Sequence, residues 1–409
     1  MLVYVLNQHG KPLMPCHPVK ARMLLKQGKA NVVKRTPFTV QLRYGSSGYQ
    51  QPVTLGVDSG YVNVGLSAVT AKEEVYTADV KLRDDMVKLN SERRTYRRSR
   101  RNRKTWYRQP RFLNRKKPEG WLAPSIQHKL DSHIKLVDHA SSVLPVSKVT
   151  VEVAAFDIQK IKDPGISGTG YQNGDQKGHY NVREYVLYRD GHTCTHCKGK
   201  SKDKRLEVHH RESRQTGGDR PLNLATLCKT CHDKATRGEI VLNIKPSKGF
   251  KAETFMSMVR WKLVGNLSAR GYKVEPTYGY LTKLGRKSLG LPKSHVHDAF
   301  VIANGTGQER SSNVFSMQQV RKCNRKLFKG DRSHLKNTAP RDIFGFRRFD
   351  KVRLNGAEGF IFGRRSTGYF AIQTLDGGKL HASAKHSDLM LLERASTLLI
   401  ERRSARINA

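Results

Sequence analysis

The chain has 409 residues, 76 Lys and Arg against 34 Asp and Glu, a formal net charge of +42, and 37% hydrophobic residues. This length serves two to four domains with modest cores. No apolar run approaches the roughly 18–20 residues of a bilayer span, and the opening MLVYVL lacks the charged region and cleavage site of a signal peptide. Six cysteines are too few for a secreted disulfide framework, so a reducing, intracellular setting is expected, and so large a positive charge calls for a polyanion, inside a cell usually nucleic acid.

Residues 1–52 read as a small separate module. Val3–Leu6 and Thr39–Leu42 have strand character, Val19–Lys29 reads as a short basic helix ended by Gly28, and Lys11-Pro12-Leu13-Met14-Pro15 reads as a rigid turn. The apolar run Val53–Val57 ends at Asp58-Ser59-Gly60, with Val62–Val69 as its expected hairpin partner. Residues 83–117 then hold fifteen Lys or Arg, and from Arg93 to Lys117 there is no acidic residue. Arg93, Arg97 and Arg101 share one face of the expected helix, Arg94 and Arg98 another, and Arg100, Arg103 and Lys104 a third. A helix without an apolar stripe cannot dock on a core, and like charges at i,i+4 weaken it, so it needs a surrounding polyanion. Tyr96, Trp106, Tyr107 and Phe112 are interleaved, as suits stacking on bases or riboses.

A helix is expected near Pro124–Leu144 and a strand at Val149–Val153, followed by a polar, Gly-rich linker over 162–180. Phe255–Ala269 reads as an amphipathic helix, Tyr272–Val274 as a strand, and His295–Ala303 as the start of another helix. The tail from about 341 alternates apolar and polar residues, with Asp376-Gly377-Gly378 as its best hairpin turn, which suggests a small β domain.

Two C-x-x-C knuckles, Cys194/Cys197 and Cys228/Cys231, can complete a closed tetrahedral Cys₄ site for one structural Zn²⁺. Between and beside them stand Glu207-Val208-His209-His210, Asn223 and His232. This arrangement resembles the HNH, or ββα-metal, nuclease motif. The resemblance makes His210 the general base that activates water, His209 and His232 the holders of one Mg²⁺, and Asn223 the residue that orients His210. Arg211 departs from the apolar residue usual after the histidines.

Asp58, Glu152 and Asp298 each lie in or beside an apolar element, where an unpaired charge costs several kcal/mol. Two bridging Mg²⁺ ions would compensate that burial and clamp the attacking and leaving oxygens of a phosphoryl displacement. The order strand-Asp, strand-Glu, helix-Asp resembles the RNase H-like RuvC nucleases. In His295-Val296-His297-Asp298, His295 shares a helix face with Asp298 and by this resemblance serves as base, while His297 receives no role.

The order of parts is similar to that of the IscB family, compact transposon-encoded RNA-guided nucleases that combine RuvC and HNH. The resemblance rests also on Lys11–Pro15, on Phe156-Asp157-Ile158-Gln159-Lys160 after Glu152, and on residues 359–370. Tyr61-Val62 departs from a commonly polar or basic pair. The fold implied is a multidomain α/β chain: a split RNase H-like RuvC domain with an inserted ββα-metal HNH domain, an Arg-rich bridge helix, a small N-terminal α/β module and a small C-terminal β-barrel-like domain. The boundaries would be an N-terminal PLMP module over 1–52, RuvC segments at 53–82, 119–172 and 246–308, a bridge helix at 83–118, an HNH domain at 173–245, and a domain at 309–409 that meets RNA and a target-adjacent motif.

The same resemblance implies a guide RNA (ωRNA) paired to one strand of double-stranded target DNA, with HNH cutting the paired strand and RuvC the displaced one. The nucleic-acid contacts would come from Arg93, Arg94, Arg97, Arg98, Arg100, Arg101, Arg103, Lys104, Trp106, Arg108 and Arg111 of the bridge segment. Arg347, Arg348, Arg364 and Arg365 would contribute from the C-terminal domain. The expected particle is a cytoplasmic ribonucleoprotein with one protein chain and no membrane association. Two alternatives stay open at this point: a protein-guided HNH/RuvC nuclease and a non-catalytic RNA-binding protein.

Overall fold

The computed structural model describes residues 2–46, 48, 50–102, 121–153, 182–211, 223–242, 251–321 and 340–404. These fall into two compact units, one containing 121–122 and 182–255, the other containing the rest. The expected linker at 162–180 and the Phe156–Lys160 stretch lie outside the described residues.

The N-terminal module comprises β1 (Val3–Leu6), β2 (Pro12–Cys16), α1 (Pro18–Lys26), β3 (Ala30–Lys34) and β4 (Thr39–Leu42), in sheet order β2-β1-β4-β3. The stretch expected as a turn at 11–15 is instead mostly strand β2, antiparallel to β1. It is an edge strand, where a proline's missing N–H costs no ladder bond.

A seven-stranded sheet dominates the larger unit. Its first strands are β5 (Val53–Ser59), β6 (Asn63–Val69) and β7 (Glu74–Lys81), an antiparallel meander. Next come α2 (Met86–Asn102), α3 (Pro124–Ser141) and β8 (Val146–Val153), which pairs parallel to β5. The smaller unit contributes α4 (Val182–Arg189), β9 (Leu206–His210), β10 (Leu224–Cys228) and α5 (Lys229–Thr236). The chain continues through α6 (Lys251–Ala269), β11 (Val274–Tyr278), α7 (Gly279–Ser288), α8 (His295–Ile302) and β12 (Asn313–Gln319). It ends with β13 (Lys351–Leu354), β14 (Ala357–Arg364), β15 (Tyr369–Gln373), β16 (Lys379–Lys385), β17 (Met390–Glu393) and β18 (Leu398–Ser404).

The large sheet runs β11-β8-β5-β6-β7-β12-β18. Strands at both ends of the segment expected as a separate C-terminal domain, β12 and β18, therefore belong to this sheet: β12 pairs parallel to β7 and antiparallel to β18. Only β13 to β17 form the separate five-stranded sheet, with Val352, Ile361, Phe370 and Ile372 at its core. Sequence alternation marks these as strands but carries no information on which sheet an antiparallel strand joins. The turn at Asp376–Gly378 links β15 to β16 as expected, with Gly377 at φ 92°.

The two faces of the large sheet differ sharply. On one, Leu55, Val57, Leu66, Val149 and Val151 are almost completely buried. Ile126, Leu130, Ile134 and Val137 form a matching buried stripe on α3. Lys129 fastens that helix to the ends of the sheet by donating to the carbonyls of Tyr61 and Arg83, and burial lowers its pKa to about 8.

On the other face the side chains are small. Gly56 pairs with Ser67 and Thr150, and Gly65 pairs with Asp58 and Asp79. Helix α8 lies on this floor so closely that a Cβ on Gly56 would collide with the Ala299 carbonyl oxygen, and one on Gly65 with the His295 carbonyl oxygen. Backbone on both sides leaves no flexible group to yield. We expect Gly65→Ala to cost about 3 kcal/mol or more in urea unfolding. Gly265→Ala, on the exposed side of α6 with nothing near its missing Cβ, should instead stabilise by up to about 1 kcal/mol. Equal effects of the two changes would contradict the close approach of α8.

Candidate active sites and metal centre

The register of the large sheet places Thr277, Glu152, Asp58, Gly65, Asp79, Ser316 and Glu401 in one row across all seven strands. Thr277 pairs with Glu152 and Asp58 with Gly65; Asp79 pairs with Gly65 and Ser316, and Ser316 with Glu401. Val57 pairs with Val151, so the next residues, Asp58 and Glu152, stand side by side on parallel strands. Paired residues point to the same face. Above this row, α8 begins at the N-cap Ser294, whose hydroxyl accepts from the His297 N–H, and brings His295 and Asp298 down over Gly65.

The result is a set of three carboxylates on one face, each with a cationic side chain beside it. Asp58, 7% exposed, lies 2.6 Å from His295 Nδ1 through Oδ2. Asp298 Oδ1 is 2.8 Å from Arg286 Nε of α7. Glu152 Oε1 is 3.9 Å from an Arg260 terminal nitrogen of α6, while Arg260 Nε donates to the Ser59 carbonyl and hydroxyl oxygens. Ser59 Oγ in turn donates to the Glu152 carbonyl. Glu152 also faces the first turn of α7: a Cβ on Gly279 would stand 3.3 Å from its Oε1. His297 turns away, its Nδ1 lying 2.8 Å from the Pro292 carbonyl oxygen.

These contacts show how the site answers charge. Burial and then the nearby Asp58 raise the Glu152 pKa, only partly offset by Arg260 and Thr282. Asp298 is raised in the same way by burial and Asp58. The hydrogen bond to Asp58 raises His295. Asp79 is raised by burial of its carboxyl group although the residue as a whole is exposed. A hard-oxygen donor set whose members resist ionisation together suits a divalent cation such as Mg²⁺. Sequence reasoning identified Asp58, Glu152, His295 and Asp298. It missed Arg260, Arg286 and Asp79, because an arginine within a basic chain and an Asp on an unrecognised third strand carry no local signal.

In the smaller unit β9 and β10 form an antiparallel hairpin that pairs His210 with Leu224 and His209 with Ala225. The ladder continues from the Arg211 N–H to the Asn223 carbonyl, placing the buried Asn223 beside the strand end that carries His210. The His209 and His232 rings lie 5.0 Å apart and nearly perpendicular. His232 Nδ1 stands 3.2 Å from Glu207 Oε2 without hydrogen-bond geometry, and makes no other hydrogen bond. Burial, with His232 and His210 nearby, pushes the His209 pKa down, which favours the neutral imidazole a metal would need. By strand alternation His210 belongs to the opposite face from Glu207 and His209. Asp190 braces the hairpin. Its burial alone would raise its pKa, but hydrogen bonds from Arg189 and Thr226 hold it low.

The four cysteines are the core of this unit. The Sγ atoms of Cys194, Cys197, Cys228 and Cys231 lie within 4.8 Å of one another, and among the described residues no other group of three or more His, Cys, Asp and Glu is so close. Leu227, Leu206, Ala235 and Ile240 pack around them. Cys228 is the N-cap residue of α5 and Cys231 sits in its first turn, where burial and the neighbouring cysteines push the Cys231 thiol up. The cluster is consistent with a closed zinc site.

On the expected bridge helix, the described part is α2. Arg93, Arg94, Arg97, Arg98 and Arg101 are all exposed on it. Arg103, Lys104, Trp106, Arg108 and Arg111 lie outside the described residues, as does the side chain of Arg100. Arg347 is tied to Asp342, Arg364 to the Arg341 carbonyl and Arg365 to Ser383, while Arg348 covers the Phe349 ring at 4.6 Å.

Two protein families match the chain: residues 3–174 match the family described as RRXRR protein, and residues 194–238 match HNH endonuclease. No curated protein matches. Among solved structures, Streptococcus thermophilus Cas9 in complex with the GGAA PAM is similar at 16% identity and a TM-score of 0.33, over 50% of this chain and 29% of that one. The same protein in complex with the AGAA PAM is similar at 15% identity and a TM-score of 0.32, again over 50% and 29%. The chain thus spans less than a third of the Cas9 chains it resembles. Residues 194–238 make this a protein with an HNH endonuclease domain, built here as a ββα unit on a four-cysteine cluster.

Metal analysis should find one tightly held zinc per chain, and Cys228→Ser should abolish it together with cooperative unfolding of the smaller unit. Full zinc occupancy in Cys228→Ser would contradict a four-thiolate site. The carboxylate site should respond to Mg²⁺ in a pH-dependent way. Raised carboxyl values mean that protons stabilise the metal-free fold and that this contribution fades as pH rises through the folded-state values. Mg²⁺ needs the ionised forms, so the rise in Tm it produces should be large at pH 8, fall off above the ordinary carboxyl values of 3.8 and 4.5, and vanish in Asp58→Asn.

Proposed function

We propose that the chain is an RNA-guided DNA endonuclease with two nuclease centres, of the kind its sequence resembles in the IscB family. One observation carries the nuclease reading: Asp58, Glu152, His295 and Asp298, drawn from β5, β8 and α8, converge on one face of a sheet in a chain that also contains an HNH endonuclease domain. Bound Mg²⁺ would polarise the scissile phosphate and stabilise the attacking and leaving oxygens. Within the larger unit Asp58, Glu152 and Asp298 would hold the two ions, and His295, released from Asp58, would take a proton from the attacking water. Within the smaller unit His209 and His232 would hold one Mg²⁺, and His210, oriented by Asn223, would be the general base. HNH then cuts the strand paired to the guide and the larger unit cuts the displaced strand.

Guide RNA use is supported by α2. Five of its arginines are exposed, and none is paired with a carboxylate among the described residues. Such a helix gains stability from a polyanion lying along it.

The test is expression with flanking genomic DNA, purification in high salt and sequencing of the bound RNA, followed by cleavage of a matched target. A single discrete RNA with one variable end is expected. With it, Asp58→Ala should nick only the guide-paired strand and His210→Ala only the displaced strand, each losing the other cut by a factor of at least about 10³. A double-strand break from either variant would overturn the division of labour. Cutting by pure protein with Mg²⁺ alone would replace the guided reading with a protein-guided one.

A further inference from the structure

In the five-stranded domain one exposed side chain is held where its residue type does not belong. Ile343 and Phe346 exchange both backbone hydrogen bonds, at 3.0 and 2.9 Å, which closes a two-residue turn over Phe344 and Gly345. Both central residues have positive φ, 46° and 80°. Such turns favour Asn-Gly or Gly-Gly, and positive φ strains a bulky residue. Ile343 and Phe346 point into the domain core, yet Phe344 points outward and is 55% exposed. Neither burial nor turn propensity explains a phenylalanine there.

The surroundings fix that ring rather than let it move. Its inner face stacks on His386, centroids 4.2 Å apart and planes inclined by 21°. Beneath both rings lies Gly368, where a Cβ would come within 2.8 Å of the Phe344 ring and 2.9 Å of His386 Nδ1. Arg394 donates to the Gly345 carbonyl at 2.6 Å and to the fully buried Asp350, which also accepts from the Arg347 N–H. A rigid aromatic face is therefore presented to solvent from a strained, doubly braced turn.

The charge beside it is positive. Arg364 is anchored to the Arg341 carbonyl, two residues before the turn begins, and Arg394 to the Gly345 carbonyl within it. Asp342 is taken up by Arg347, and Asp350 by Arg394. An open aromatic face on a turn flanked by guanidinium groups has the chemistry to stack a nucleobase.

We propose that Phe344, backed by His386, is a stacking shelf for one unpaired nucleobase. The proposal rests on the nucleic-acid-binding part of the function above and assigns the C-terminal contact that sequence alone left open. RNA and DNA offer the same shared chemistry, a base face.

The experiment uses the full chain and single-stranded U-tract probes, one RNA and one DNA, each carrying 5-iodouracil. Near-ultraviolet irradiation should join the probe to a peptide containing Phe344 or His386; which probe reacts tells RNA from DNA. Phe344→Leu should lose that cross-link and weaken binding about fivefold or more, whereas Phe344→Trp should keep both. Phe344→Gly removes the strain, so its Tm should hold or rise while binding falls, which separates the shelf from a folding role. Cross-links at other sites only, with unchanged affinity in Phe344→Leu, would overturn the shelf and leave the proposed nuclease function standing. Absence of any nucleic-acid binding would overturn both.

Discussion

The closeness of α8 to the large sheet is the constraint on which the carboxylate site depends. Asp298 and His295 come from a helix, Asp58 and Glu152 from strands, and a side chain as short as Asp reaches a neighbour only if the two backbones nearly touch. Gly56 and Gly65 create that proximity by having no side chain, and Ser67, Thr150 and Thr77 continue the low floor. The same row that carries Asp58 must therefore carry a glycine next to it. A larger residue at 65 would lift α8 off the sheet and separate the ligands, even with all four side chains intact.

The second constraint is electrostatic. Burying carboxylates near one another raises the free energy of their ionised forms, and His295, Arg286 and Arg260 each answer one of them. These cations come from α8, α7 and α6, so the local charge balance links three helices to one strand row. Asp79 enlarges the field from the far side of Gly65, where His295 and Arg403 pull its pKa down against burial and Asp58.

What was legible in the sequence follows the same physics. Asp58 and Glu152 were visible because a charge at the end of an apolar run is costly wherever it lies, and the cysteine pairs because their spacing fixes a ligand geometry by itself. The N-terminal strands Val3–Leu6 and Thr39–Leu42 were legible to the residue. Strand β2 was not, because prolines argue against a strand unless it is known to be an edge. Strand β11 likewise begins later than its apolar residues suggest, and contains Pro276 at the other kind of edge, that of the large sheet. Nor could β12 and β18 be assigned to the large sheet, since β12 joins it through β7, with Phe315 opposite Ala78 far back in the chain, and β18 joins only through β12. Arg286 and Arg260 were hidden by abundance: with 76 basic residues, no single arginine stands out until a carboxylate is found against it.

That abundance also orders the molecule's behaviour. Within the larger sheet basic residues are consumed by acidic partners, as Arg310 is by the buried Glu74 at 2.7 Å, while its guanidinium covers the Phe300 ring at 4.0 Å. Those arginines belong to the fold and are unavailable to a ligand. The exposed arginines of α2 have no such partners among the described residues, so the excess charge is concentrated where it meets solvent. A polyanion binding there releases counterions and relieves like-charge repulsion along the helix at once. The charge of α2 is thus left open to solvent, whereas in the carboxylate row the protein satisfies its own charges.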